Sequence, residues 1–332
     1  MTTSPPNAKL LDWDQLATHE WKTLVIGNGV SRAVWDDFKY PSLYDVAVHA
    51  VAGSALTPDD QALFAALGDT RHFEGVLGAL FTASVVNDAL SLPIGVIKKR
   101  YQSIRKALIA AVHRVHIPWS MMPTATLLTM RAELVKYGYV FTTNYDLLIY
   151  WAMMADSSDD FRDYFWSLEF DISDTEVWKA KTRVLYLHGA LHLYYSLDGR
   201  TSKEVAGPGA NLLDLFGKRP DSVPLCITEG TAAQKMSAIA RSDYLSFSLE
   251  KLSRRRGALV LLGQGLGESD AHVAAAIDRG GERDIAVGIY PSSTKHIVRE
   301  KAHYRKVLPE ATLHFFDSRS HPLTAPTMRV TP

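Results

Sequence analysis

The stretch "YVFTTNYDLLIYW", Tyr139 to Trp151, starts and ends as apolar sequence and is polar only in the middle. Its first residues read as a buried strand and its last ones as an apolar helix. The cluster Thr142-Thr143-Asn144-Tyr145-Asp146 stands where one hands over to the other. Open α/β sheets bind ligands at such carboxyl ends of strands. Helix capping is the plain alternative, since Thr, Asn and Asp are preferred N-cap residues. A single cap residue would suffice, and four polar groups exceed that need.

Upstream, "KTLVIG" (Lys22 to Gly27) reads as a short buried strand running into the turn Gly27-Asn28-Gly29, and "VSRAVWDDF" after it has helical character. From Pro41 to Tyr137 there is almost no strand signal. The clearest helix there is "IGVIKKRYQSIRKALIAAVHRVH", where Ile94, Ile97, Tyr101, Ile104, Leu108, Ala111 and Val115 make one apolar stripe. Its Lys98, Lys99, Arg105, Lys106 and Arg114 read as a solvated face or a partner surface. Downstream, "TRVLYLHG", "HLYYSL", "SVPLCIT", "GALVLLGQG", "RDIAVGIYP" and "ATLHFFDS" carry strand signals, separated by helical segments such as "AQKMSAIARSDYLSFSLEKLSRRR" and "DAHVAAAIDRG". This alternation implies an α/β fold with a parallel sheet covered on both faces. The expected organisation is one domain over 1–332, with a core of 22–40 and 138–332 and a helical insertion over 41–137. The Gly- and Pro-rich run from Asp198 to Asp221 reads as an irregular excursion.

Thirty-six basic residues balance thirty-six acidic ones in the 332-residue chain, so no global field favours nucleic acid or an anionic membrane. The single cysteine, Cys226, excludes an intrachain disulfide and a four-cysteine zinc module, and fits a reducing, cytoplasmic setting. No apolar run approaches the roughly 20 residues a membrane-spanning helix needs, and the N-terminal segment lacks a signal-peptide pattern.

Four other segments could carry chemistry. "VIGNGVSRA" can aim backbone N–H groups at a phosphate, although Arg32 sits where the third glycine of a dinucleotide fingerprint belongs. A tight turn with Ser31 starting a helix explains it equally well. In "LYLHGALHLYYSL", His188 ends an apolar strand and should lie at a sheet edge. Gly189 implies strand–turn–strand, which separates His188 from His192 and argues against a metal pair. In "TEGTAAQK", Thr231 and Gln234 have capping-box spacing, and Glu229 with Lys235 reads as a salt bridge or as site residues. "VLLGQGLGESDAHV" ends a strand at Gly263, Gly265 and Gly267, where glycines let backbone approach a ligand, and Ser269 or Asp270 can cap the next helix.

In this order, GNG-S, FTTNYD, LHG and GxGLGESD, the blocks resemble the sirtuin-like NAD-binding family. The resemblance is to a bacterial branch described only as a domain of unknown function, and it extends from Leu24 to about Phe316. It implies a Rossmann-like, sirtuin-type sheet with a helical insertion and no zinc module, binding NAD as substrate with no metal. Gly27, Asn28, Gly29 and Ser31 would line the pyrophosphate and nicotinamide-ribose region. Thr143, Asn144 and Asp146 would face the nicotinamide ribose and carboxamide, and His188 would be the catalytic histidine. Gly263, Gly265, Ser269 and Asp270 would lie around the adenosine half. The absent zinc module and Tyr145, where sirtuins carry isoleucine, disfavour protein deacylation without touching NAD cleavage. The resemblance implies an NAD+ glycohydrolase acting as an anti-phage defence effector. It also implies a regulatory partner or self-association, with the insertion as the surface. A nucleotide-sensing module without turnover is the alternative, ahead of a deacylase or an ADP-ribosyltransferase.

Overall fold

The computed structural model describes residues 7–39, 42–173, 181–196, 198–206, 211–216, 223–227 and 229–331. Parts of the Gly- and Pro-rich run from Asp198 to Asp221 therefore lie outside the described residues. The strands are β1 (Thr23–Ile26), β2 (Tyr139–Thr142), β3 (Phe161–Arg162), β4 (Thr182–Tyr186), β5 (Gly189–Tyr195), β6 (Thr201–Lys203), β7 (Val223–Cys226), β8 (Leu259–Leu262), β9 (Arg283–Ile289) and β10 (Ala311–Asp317). Seven form one parallel sheet in the order β10-β9-β8-β1-β2-β4-β3. The central strand β1 is buried throughout, with Val25 between Leu261 and Phe141 on its neighbours. A continuous apolar tetrapeptide suits a strand covered on both faces. The architecture is a Rossmann-like α/β fold.

Helix α1 (Asn28–Val34) follows β1 directly. The next strand is reached only after α2 (Leu43–Val48), α3 (Pro58–Ala66), α4 (Phe73–Ala89), α5 (Gly95–Val115) and α6 (Thr124–Leu134). Among the described residues from 42 to 137 there is no strand. Tyr101, Ile104, Leu108, Ala111 and Val115 of the apolar stripe are buried in α5, while Ile94 and Ile97 at its start are only partly covered. Helix α3 opens on a Thr57/Asp60 capping box with Pro58 in its first turn. The fully buried Asp60 also accepts from Ser103 of α5, which clips the two helices together.

The remaining helices are α7 (Leu148–Met153), α8 (Leu212–Leu215), α9 (Ala232–Ile239), α10 (Asp243–Ser253), α11 (Ala271–Asp278) and α12 (Thr294–Val307). Three sequence expectations change here, the first being the irregular excursion from Asp198 to Asp221, whose described part carries β6 and α8. "HLYYSL" and "SVPLCIT" do not join the parallel sheet but form a separate antiparallel one, ordered β6-β5-β7. The positive φ of Gly189 turns the chain straight back after β4, too soon for the crossover a parallel partner requires. Pro224, which has no N–H to donate, fits β7 because β7 is an edge strand. The expected single helix from Ala233 to Arg256 is two, because Ser242 accepts from the amide of Leu245 and starts α10.

Buried histidines tie the layers together. His116 Nε2 accepts from the amide of Leu147, and His321 lies fully buried near Glu133. Burial pushes His116 down to about 4 and His192 and His321 to about 3. His188 and His272 shift the same way. In the unfolded chain these rings protonate near pH 6.5. Below that pH the unfolded state therefore binds more protons than the native one, and stability falls with pH. His72 shifts upward. Each ring costs up to about 1.4 kcal/mol per pH unit. The thermal midpoint should drop steeply from pH 6.5 to 5, whereas a flat midpoint in scanning calorimetry would show that the rings are not buried neutral.

Candidate functional site

The turns after β1 and β8 lie against each other at the carboxyl edge of the sheet. Gly29 N donates to Gly263 O at 2.9 Å. A Cβ on Gly27 would sit 2.5 Å from Gly263 O, and one on Gly29 would sit 2.6 Å from Gly263 Cα. Gly263 has φ +68°, and its Cβ would lie 2.6 Å from Val30 N. These glycines are required by the contact between the two turns, a reason that spacing alone does not reveal. Gly265 has open space around it, and its carbonyl accepts from His303 Nε2.

Helix α1 begins at Asn28, with Gly27 as its N-cap, so Ser31 is inside the helix rather than at its start. The Ser31 side chain is buried and donates to Asp146 Oδ2 at 2.5 Å while accepting from Asn144 Nδ2 at 2.7 Å. Asn144 Nδ2 also donates to Gly27 O, which uses both of its N–H groups. The Asn144 Oδ1 atom is buried with no partner among the described residues. Asp146 Oδ1 accepts from Leu148 N at 2.9 Å and so stabilises the start of α7. Capping therefore accounts for one oxygen of Asp146 and for none of Asn144. Burial raises the Asp146 carboxyl above its usual range against the opposing Ser31 hydrogen bond.

Asn28, Thr143, Asn144, Tyr145, Asp146, His188, Glu229, Lys235, Gln264 and Asp270 line one cleft of about 220 Å³, closed on one side by Phe38 and Ser42. His188 follows β4 and is 3% exposed, and its Nε2 lies 2.8 Å from His272 Nε2. Its partner is thus a residue of α11 and not His192, whose ring packs on Tyr150 and Tyr186. Burial, reinforced by the Lys235 ammonium and by His272, holds His188 well below the usual histidine range. Burial brings His272 down to about 4.

The Lys235 Nζ contacts Asp270 Oδ1 at 2.7 Å, so the expected Glu229–Lys235 pair is not made. Glu229 instead accepts from Ser42 Oγ and Tyr44 N, and burial raises its carboxyl. Thr231 and Gln234 do form the capping box of α9. Asp270 makes no capping bond, and Ser269 lines a neighbouring recess with Arg71 and Glu268. Donor atoms of His188, Asp270 and His272 lie within 4.8 Å of one another, a spacing open to a metal ion, but the ammonium on Asp270 disfavours a cation there. Motif spacing singles out neither His272 nor Gln264. Tyr145 has a signal, as the odd residue of its motif, and its buried hydroxyl lacks a partner among the described residues. No helix among the described residues is long and apolar enough to cross a membrane.

Gly263→Ala should cost about 2 kcal/mol or more, because it adds left-handed strain to a clash with Val30 N. Gly265→Ala should be nearly silent. Urea unfolding of both variants checks the contrast, and equal losses would contradict the turn-to-turn contact.

No curated protein matches the chain. A solved structure of a Sir2 mutant with p53 peptide and NAD aligns over 89% of this chain and 95% of its own, at 13% identity and a TM-score of 0.35. The family model described as a domain of unknown function, DUF4917, matches residues 24–323, and the chain belongs to that family.

Proposed function

We propose that the cleft cleaves the N-glycosidic bond of NAD+, and that the chain acts as an NAD-depleting effector in a bacterial anti-phage system. The observation that carries this reading is the Asn144 carbonyl oxygen, buried just after β2 without a partner among the described residues. Its amide is fixed by Ser31 and Gly27, so Oδ1 is a preoriented acceptor for a ribose hydroxyl or a water. The cleft is smaller than the roughly 300–1,000 Å³ of sites that enclose a drug-sized ligand. It therefore takes the nicotinamide-ribose end, and the dinucleotide continues toward the β1 and β8 turns. The defence role rests on the motif resemblance alone.

In the reaction the bond from C1′ to the pyridinium nitrogen breaks, and its electron pair leaves with neutral nicotinamide. A water oxygen bonds to C1′ and gives up a proton, leaving ADP-ribose. Asn144 orients ribose and water, and Asp146 holds Ser31 and the start of α7 in place. His188, kept neutral, accepts the proton. One proton is shared between His188 and His272. When His188 donates it, the other ring nitrogen of His188 is left as a free base, so His272 is a positioning residue.

Asn144→Ala and His188→Ala should each lower NAD consumption by roughly 10²–10⁴-fold, measured as nicotinamide release from the purified, active chain. Full activity in either would refute the reading. Saturable NAD binding with no turnover in the wild type, under conditions that activate it, would favour a sensing module.

With His188 held neutral, the rate should stay level from pH 8 down to about 6.5, the ordinary histidine pKa, and fall only below it. His272→Ala should lower kcat more than it raises KM and should move that acid limb, with partial rescue in His272→Gln. An unmoved limb would leave His272 a purely structural role.

A further inference from the structure

A second cavity, of about 310 Å³, lies between α4 of the helical region and α9. It shares no lining residue with the cleft. Its floor is His72 and Glu74, which are 5% and 4% exposed, with His72 Nδ1 2.9 Å from Glu74 Oε1. Burial alone would discharge the His72 ring, but Glu74 and Gln234 outweigh it and raise its pKa. The second carboxylate oxygen, Glu74 Oε2, is buried and has no hydrogen-bond partner among the described residues. Leaving such a group unsatisfied is costly to the fold.

The "TEGT" block accommodates this arrangement. Gly230 has φ +108°, and a Cβ there would fall 1.7 Å from His72 Nε2, so any side chain would expel the ring. Glu229 and Lys235 face the cleft while Gln234 faces the second cavity, so this one segment is the wall between them. Ordinary packing would not require a carboxylate with an idle oxygen on a cavity floor.

The rest of the lining defines the ligand. Leu67, Ala79, Leu225 and Ala238 supply apolar walls, and Arg241 adds a cation. With one Glu74 oxygen already taken by His72, a single acceptor oxygen remains, and the Arg241 guanidinium disfavours a ligand cation. We propose that this cavity is a second binding site, for a small neutral heterocycle or amide whose N–H donates to Glu74 Oε2. Its volume is at the lower end of small-molecule sites, about 300–1,000 Å³, which suits a nucleobase, a nucleoside or an aromatic carboxamide. The proposal does not depend on NAD cleavage.

The test is calorimetric titration of the full chain with adenosine and with nicotinamide. At least one should bind the wild type, and binding should weaken about tenfold or more in Glu74→Gln, the worth of one hydrogen bond to a charged group. Ala79→Phe, at an exposed position on the cavity rim, should block binding without disturbing the core. Asn144→Ala, in the cleft, should leave the Glu74-dependent binding unchanged. Absence of binding by both probes would overturn the proposal, as would binding lost in Asn144→Ala but kept in Glu74→Gln and Ala79→Phe. Should Glu74→Gln fail to fold, the Ala79→Phe and Asn144→Ala arms decide the outcome alone.

Discussion

The Ser31 hydroxyl, held between Asn144 and Asp146, is the interaction on which the site depends. It joins the first helix after β1 to the junction after β2, two strands that neighbour each other in the sheet but stand over a hundred residues apart. A hydroxyl can donate once and still accept, and here both capacities are used inside the protein. The consequence is that Asn144 has no freedom left on its nitrogen, while its oxygen is buried without a partner among the described residues. The glycine contact between the β1 and β8 turns closes the same corner from the other side.

Charge in this corner is tightly limited. Burial holds the His188 and His272 rings below the usual histidine range and raises the Asp146 carboxyl, and Lys235 pairs with Asp270. A site screened from bulk water strengthens each remaining dipole that faces a developing charge. It also makes errors costly, because an orphaned group there has no water to fall back on.

The helical region between β1 and β2 takes part in both cavities. Ser42 and Tyr44 hold Glu229, and His116 at the end of α5 supports the first amide before α7. Its α4 supplies the His72–Glu74 pair. An attachment used only as an outer surface would not reach so far inward. Motion of these helices relative to the sheet would be felt at Glu229, on the wall shared by the two cavities.

By itself the sequence determined the parallel sheet, the long helical excursion, and the placing of Asn144, Asp146 and His188 at strand ends, because apolar runs and turn residues are local signals. It also marked the Thr231/Gln234 cap, which depends on neighbours three residues apart. Pairing across the fold was decided by the tertiary structure alone. His188 meets His272, Lys235 meets Asp270 instead of Glu229, and β5 turns away from the main sheet on Gly189. Spacing along a chain describes one element at a time, whereas these contacts arise where loops from different strands converge, at distances set by how the sheet twists and its helices pack.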